Sequence, residues 1–111
     1  MIETTVLNYL SEALPVPCYM EMPEDPDESF VIIEKTGSSV ENRINRANII
    51  VQSYAKRLAD AAELNEAVKG AMDGMIELDE IIRVELNSDY NYTDTAMKAY
   101  RYQAVFVVTH Y

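Results

Sequence analysis

Hydrophobic and polar residues alternate along the last thirteen positions of the chain, residues 99–111. Those on one parity are apolar or aromatic: Tyr100, Tyr102, Ala104, Phe106 and Val108. Those on the other begin polar and turn apolar: Arg101, Gln103, Val105, Val107 and Thr109. A period of two predicts a β-strand with the first set facing the core. At about 3.3 Å per residue it would span roughly 43 Å, longer than most strands of small domains, so we expect it to be paired on both sides.

Two other segments have apolar residues spaced by three and four, which predicts amphipathic helices. The first covers residues 2–14 and ends before Pro15, because proline disfavours helical geometry in the residue before it. The second covers residues 58–76, where an outer face of Asp, Glu and Lys accompanies the apolar stripe. These are the only two helices that the pattern predicts.

The remaining apolar runs predict strands over residues 30–36, 44–54 and 79–87, and a short extended edge segment over residues 15–20. Gly37, Ser38 and Ser39 predict a turn, so residues 34–46 form a hairpin whose tip reaches Arg43. Residues 21–29 and 88–97 are polar and are predicted to be loops. The element order is α-β-β-β-α-β-β. Short connections favour antiparallel pairing, so we expect one α+β domain over residues 1–111, with two helices covering one face of a mainly antiparallel sheet.

The net charge of the chain limits the classes of molecule that it could bind. Nineteen acidic and nine basic residues give a net charge of −10. Residues 1–41 hold nine acids and one base, a net charge of −8, whereas residues 42–111 have a net charge of −2. Because phosphate contacts need clustered Lys and Arg, this composition argues against direct or sequence-specific binding of nucleic acid.

No catalytic constellation is visible. His110 is the only histidine, and it has no evident orienting partner. Cys18 lies among apolar residues beside two prolines, which is typical of a small buried side chain. The acids of residues 21–29 lack calcium-loop spacing. We therefore expect no enzymatic activity, no cofactor and no metal. One cysteine, no export signal and no apolar run of membrane-spanning length suggest a soluble, cytosolic chain.

Two surface features suggest protein contacts. Tyr90, Tyr92 and Asp94 lie in the predicted loop 88–97, and exposed tyrosines are common interface anchors; the alternative is that they pack over the sheet edge. Arg43 and Arg46 lie near the hairpin tip of an acidic protein. They are candidates for pairing with acids of a neighbouring subunit, or they are isolated surface charges.

Three strings look familiar together: F-V-I-I-E-K-T-G (30–37), Q-S-Y-A-K-R-L-A-D-A-A-E-L-N-E (52–66) and S-D-Y-N-Y-T-D (88–94) before A-Y-R-Y-Q-A. With the element order and chain length, they resemble small phage and prophage tail proteins of Gram-positive bacteria, of the tail-terminator or head–tail-joining type. The resemblance offers no invariant site that can be carried over.

What the resemblance implies is a structural role. Tail terminators form a ring, typically a hexamer, at the head-proximal end of the tail. The ring stops growth of the tail tube and joins the tail to the head's connector, first in the host bacterial cytoplasm and then in the virion. The implied partners are further copies of the chain, the tail tube protein and the head connector or neck protein. Because DNA passes through the ring, the acids Glu24, Asp25, Asp27 and Glu28 are candidates for the channel wall.

Two other functions fit the sequence. One is a neck or head-completion protein of the head–tail connector, which is also small and ring-forming. The other is an acidic, DNA-mimicking inhibitor of a host nucleic-acid-binding protein; against it, basic residues interrupt the acids of the second half of the chain.

Overall fold

The computed structural model describes residues 1–96 and 99–111 of the chain. Its elements are the helices α1 (Ile2–Ala13) and α2 (Leu58–Gly74) and the strands β1 (Cys18–Tyr19), β2 (Phe30–Glu41), β3 (Ile44–Ala55), β4 (Ile81–Asn91) and β5 (Tyr100–His110). A single 3₁₀ turn, Met75–Glu77, extends α2. The order α-β-β-β-α-β-β confirms the predicted α+β class.

The five strands form one sheet in the order β1-β2-β3-β5-β4. β5 is antiparallel to both of its neighbours, β3 and β4, which confirms that the last strand is paired on both sides. β1 is the short parallel edge strand beside the start of β2. Beyond Ile32, the outer edge of β2 has no β1 partner, and β4 forms the opposite edge of the sheet.

The core lies between the two helices and one face of the sheet. Val6 and Leu10 of α1 and Val68 and Met72 of α2 pack against alternate residues of the central strands, which include Ile49, Val51, Ala104, Phe106 and Val108. The predicted inward parity of β5 is therefore correct for its second half. At the start of β5, Tyr100 is exposed and Tyr102 is half-buried, and neither belongs to this core.

The hairpin turn lies further along the chain than the sequence predicts. β2 continues through Gly37, Ser38 and Ser39, and the turn residues are Asn42 and Arg43, with φ angles of 52° and 68°. Gly37 instead stands beside a register irregularity between Lys35 and Gly37. The prediction was wrong because Gly-Ser-Ser has the usual composition of a turn, whereas a two-residue turn that contains Arg at positive φ has little sequence signal.

β4 is also longer than predicted, since it runs to Asn91 and not to residue 87. Ser88, Asp89 and Tyr90 therefore lie in a strand and not in a loop, and Tyr92 directly follows it. The end of the predicted loop, residue 97, lies outside the described residues. The prediction was wrong because pairing with β5 uses backbone groups, which polar side chains on an edge strand leave available. Within the described residues, neither helix is long and apolar enough to cross a membrane.

Candidate interaction surfaces

The helices leave the second face of the sheet open, and the strand register arranges its side chains in rows. One row crosses four strands through Ile32, Gln52, Gln103 and Tyr90. The neighbouring row contains Phe30, Tyr54 and Arg101, and the Tyr92 amide donates to the Arg101 carbonyl at 2.7 Å. These two rows lie where β2 and β5 begin, and we call this the loop end of the molecule.

Five side chains form an aromatic cluster at the loop end: Phe30, Tyr54, Tyr90, Tyr92 and Arg101. The rings of Phe30 and Tyr54 stack at 4.7 Å between centroids. The Arg101 guanidinium lies 5.5 Å from the Tyr54 ring centroid and 4.5 Å from that of Tyr92. Tyr90 and Tyr92 meet edge to face at 5.8 Å. The two tyrosines that the sequence singles out are therefore brought together, and a guanidinium holds them beside Tyr54.

A line of hydrogen bonds crosses the same face. Arg101 Nη1 donates to the Tyr54 hydroxyl at 2.9 Å, and that hydroxyl is 3.4 Å from Gln52 Oε1. Gln52 Nε2 donates to Gln103 Oε1 at 2.8 Å, and Gln103 Nε2 donates to the Tyr90 hydroxyl at 2.6 Å. Gln103 is 7% exposed, whereas Tyr90 is 41% exposed. The line therefore connects a buried side chain of the sheet with Tyr90, an exposed residue of the edge strand.

Asp94 does not belong to this cluster, and its hydrogen bonds are local to its own part of the chain. Its Oδ1 accepts the amide of Ala96 at 3.0 Å, and Asp94 forms an isolated bridge with Ala99. Its carboxylate is exposed. The structure thus gives Asp94 a local role in the turn, and its predicted role in a subunit interface stays a prediction.

Arg43 and Arg46 lie at the other end of the sheet, which we call the tip end. Arg43 is in the turn, and Arg46 lies opposite Ser39 on β2 and Thr109 on β5. Both are exposed, and neither has an ion pair with an acid of the described residues. Six residues of β5 separate the Thr109 row from the Gln103 row, a distance of about 20 Å. The predicted interface residues therefore form two separate surfaces.

The acidic loop, residues 21–29, lies at the loop end. All four of its predicted channel acids are exposed, but they differ in their contacts. Asp27 accepts the Tyr19 hydroxyl at 3.1 Å, and Glu28 lies 3.6 Å from Lys56 Nζ. Partial desolvation, and then the bond to Asp27, raise the pKa of Tyr19. Glu24 and Asp25 are the acids of the four for which the structure shows no such partner among the described residues.

A groove that the sequence does not predict runs between α2 and the edge strand β4, on the helix side of the sheet. Its volume is about 410 Å³. Successive turns of α2 form one wall, with Glu66, Lys69, Gly70 and Asp73. The sheet forms the floor, with Val84, Leu86 and Phe106. Leu86 is 46% exposed. The helix therefore leaves part of the apolar surface of β4 uncovered.

A charged network borders this groove. Lys69 Nζ lies 3.0 Å from Asp89 Oδ2 and 3.0 Å from Glu66 Oε1, and Asn65 Nδ2 donates to Asp89 at 2.8 Å. The hydrogen bond from Lys69 lowers the pKa of Asp89, and the bond to Asp89 raises the pKa of Lys69. The network neutralises Lys69, so the groove rim has a net negative charge.

Sequence reasoning missed several residues of these surfaces. Tyr54, Gln52 and Arg101 contribute to the open face, but they lie on strands whose polar positions carry no motif. The polar start of β5 is a signal that could have located Arg101 and Gln103. The α2–β4 groove depends on how far a helix covers an edge strand, which no pattern along the chain reveals.

The residues considered for catalysis have ordinary surroundings. Burial raises the pKa of the Cys18 thiol, which disfavours a reactive thiolate. His110 Nδ1 lies 3.0 Å from the carbonyl oxygen of Tyr111, at the end of β5. Within the described residues, no three His, Cys, Asp or Glu side chains are grouped so as to hold a metal ion.

The sequence matches no protein-family model and no curated protein. The fold, however, is similar to that of a chain in the solved structure of the virion of a native gene transfer agent (GTA) particle. The two chains superpose with a TM-score of 0.61 and 13% sequence identity, over 95% of this chain and 83% of the other. At this identity, the similarity shows that the two chains share a fold.

Proposed function

We propose that this chain is a structural protein of a phage or phage-like particle. In this proposal it forms a ring, with six copies expected, at the head-proximal end of the tail. There it ends growth of the tail tube and joins the tail to the head connector. The observation that carries the proposal is the similarity of almost the whole chain to a chain of a virion particle.

The distribution of surfaces supports a ring. Copies that associate head to tail need two different surfaces on each subunit, placed so that one copy can follow another. The hairpin tip is one candidate surface of this kind, and the aromatic cluster, about 20 Å away along β5, is a second. Assembly of this kind needs shape and adhesion and uses no catalytic residues.

Acidic side chains would suit the channel of such a ring, because a negative wall repels the DNA backbone and does not hold it. The candidates are Glu24, Asp25, Asp27 and Glu28. Of these, Glu24 and Asp25 are the best placed, since Asp27 and Glu28 already have partners within the subunit.

The solution mass, measured by light scattering over a concentration series with negative-stain images of the same samples, tests the proposal. We expect a closed ring of about six copies, alone or on the ends of purified tail tubes. Binding to portal or connector particles and not to tubes would reassign the chain as a neck protein. A monomer that binds neither tubes nor connectors would overturn the proposal.

A further inference from the structure

We propose that the hairpin tip of one copy, residues 40–46, docks into the α2–β4 groove of the next copy. In this contact Val40 lies against the apolar floor of the groove, and Arg43 lies beside Asp73. The inference rests on the proposed function, since it supplies the head-to-tail contact of the ring, and it assigns the α2–β4 groove, in place of the aromatic cluster, as the surface that meets the tip.

The groove has the form of a receptor site. Its floor is apolar, being made of Val84, Leu86 and Phe106. Gly70 forms part of its helical wall, and a Cβ atom at this position would meet nothing within 4 Å. Glycine in the middle of a helix costs about 1 kcal/mol relative to alanine. Here it leaves open space beside Leu86, which is 46% exposed, and this space would admit a side chain from outside.

The hairpin tip has the complementary form. Val40 is 68% exposed near the end of β2, although valine is a residue that favours burial. Arg43 is exposed in the turn, where its φ angle is 68°. The tip therefore presents an exposed apolar side chain close to an exposed guanidinium, which matches a groove with an apolar floor and an acidic rim.

The charges of the groove and the tip are complementary. At the groove, Lys69 is already paired with Asp89 and Glu66, so Asp73 leaves the rim acidic. At the tip, Arg43 and Arg46 outweigh Glu41. In a chain whose net charge is −10, a basic projection is attracted to acidic surfaces of other copies, which favours self-association.

The topology makes the contact intermolecular. The hairpin belongs to β2 and β3, whereas the groove lies beside β4 on the far edge of the sheet. Three strand spacings separate β2 from β4, about 14 Å. A tip and a groove that are different surfaces of one molecule generate a heterologous contact, which closes into a ring when the rotation between copies allows it.

Two substitutions test the contact without weakening the fold. Gly70→Leu fills the groove from its own helix and replaces a helix-destabilising residue. Arg43→Gly removes the guanidinium while providing the residue that a positive φ angle favours. We expect each variant to raise the concentration at half-assembly about tenfold or more.

Matched controls leave these surfaces intact. Ala67→Leu adds the same side chain at an exposed position of α2, and Arg57→Gly removes the same charge at the N-cap of α2, where glycine is tolerated. Both should assemble like the wild type. The pair Arg43→Asp with Asp73→Arg should restore assembly that Arg43→Asp alone has lost. Unchanged assembly of Gly70→Leu and Arg43→Gly would overturn the proposed contact.

Crosslinking gives a direct measurement. In a chain with Cys18→Ala, the pair Val40→Cys and Gly70→Cys should form a ladder of disulfide-linked oligomers under a mild oxidant. The control pair Val40→Cys and Ala59→Cys, eleven residues earlier on α2 and so about 16 Å away, should not. Absence of the ladder, or equal ladders for both pairs, would overturn the inference.

The two proposals fail in different ways. A wild-type ring that forms without the 40–70 crosslink leaves the ring in place and rejects this contact. A 40–70 ladder from a protein that caps neither tubes nor connectors supports the contact between copies and rejects the role in the tail.

Discussion

At the scale of single residues, the turn at Asn42 and Arg43 is the clearest case in which the residue present is not the one that would stabilise the fold most. Both residues have positive φ angles. Asparagine adopts this conformation readily, but for arginine it costs about 1 kcal/mol or more. A two-residue hairpin turn most often has glycine at the second position. Arginine at position 43 is therefore expected to serve a contact outside the subunit.

Arg43→Gly should raise the free energy of unfolding of the subunit by about 1 kcal/mol, because the left-handed conformation costs glycine nothing. Urea unfolding, monitored by circular dichroism at a concentration below assembly, measures it. Asn42→Gly is the control, and its gain should be smaller. An Arg43→Gly variant that is less stable than the wild type would contradict the argument from backbone strain.

A second residue-scale feature is the carboxylate of Asp89, which Lys69 and Asn65 hold on the helix side of β4. Its folded pKa lies below the ordinary value of 3.8, chiefly because of the bond from Lys69. A carboxyl group whose pKa is lowered by folding adds stability above pH 3.8. That stability is lost as the pH falls through the lower, folded pKa.

Asp89→Asn should therefore reduce stability at pH 7 and flatten its decline below about pH 4. The other acids titrate in both proteins, so the informative quantity is the difference between wild type and variant across a pH series of urea unfolding curves. The difference should shrink steadily as the pH falls below 4. A difference that stays constant from pH 7 to pH 2 would show that the pairing of Asp89 does not contribute.

At the scale of elements, α2 shows how much the pattern of the chain determines and where it stops. The three-and-four spacing of its apolar residues predicted a helix over residues 58–76, close to the observed Leu58–Gly74, because burial against the sheet enforces that period. The long central strands β3 and β5 were predicted from a period of two, which burial of one face enforces in the same way. Strand ends were not, since Gly37 to Ser39 and Ser88 to Asn91 are polar and their pairing depends on backbone bonds to a neighbour.

The candidate surfaces were only partly predictable. The sequence composition identified four of their residues: Tyr90, Tyr92, Arg43 and Arg46. The separation of the tyrosines from the arginines, at opposite ends of the sheet, follows from the register of β3 and β5. Tyr90 and Tyr92 lie beside Tyr54 and Arg101, and these last two residues are 47 positions apart in sequence. A pattern of neighbouring residues cannot predict a contact over that sequence separation.

The two helical glycines of α2 give an element-scale prediction. Gly70→Ala should raise the free energy of unfolding by about 1 kcal/mol, because its new Cβ meets nothing within 4 Å. Gly74→Ala should gain less, since its Cβ would lie 3.0 Å from the Tyr9 hydroxyl. Urea midpoints of the two variants measure the contrast.

Tyr9→Phe supplies the control, because it removes the hydroxyl that crowds position 74. Combined with Gly74→Ala, it should recover the gain that this hydroxyl prevents. Equal midpoints for Gly70→Ala and Gly74→Ala in the presence of Tyr9 would contradict the steric argument.

At the scale of the whole molecule, the two ends of the sheet differ in charge as well as in shape. The tip end presents Arg43 and Arg46, and the loop end presents the acidic loop beside the aromatic cluster. The subunit extends 44 Å along its long axis and 24 Å along each of the others. In a ring of such subunits, the orientation of the long axis decides whether the acidic loops face the channel or the outside.

Reversing the charge of Glu24 and Asp25 distinguishes these orientations. If the acidic loops line the channel, Glu24→Lys with Asp25→Lys should slow DNA ejection from assembled particles, because lysines would bind the passing phosphates. Ring formation should be unchanged, since neither residue belongs to the tip or lines the groove. The slowing should also weaken as salt concentration rises, because salt screens contacts with phosphate.

The matched control reverses two exposed acids on the first turns of α2, Asp60→Lys with Glu63→Lys, and so makes the same change in net charge elsewhere. Slower ejection in both double variants would point to net charge and not to the channel wall. Ejection at the wild-type rate in the Glu24 and Asp25 variant would place the acidic loop outside the channel. The loop end, with its tyrosines and Arg101, would then face the outside of the ring, the tail tube or the connector.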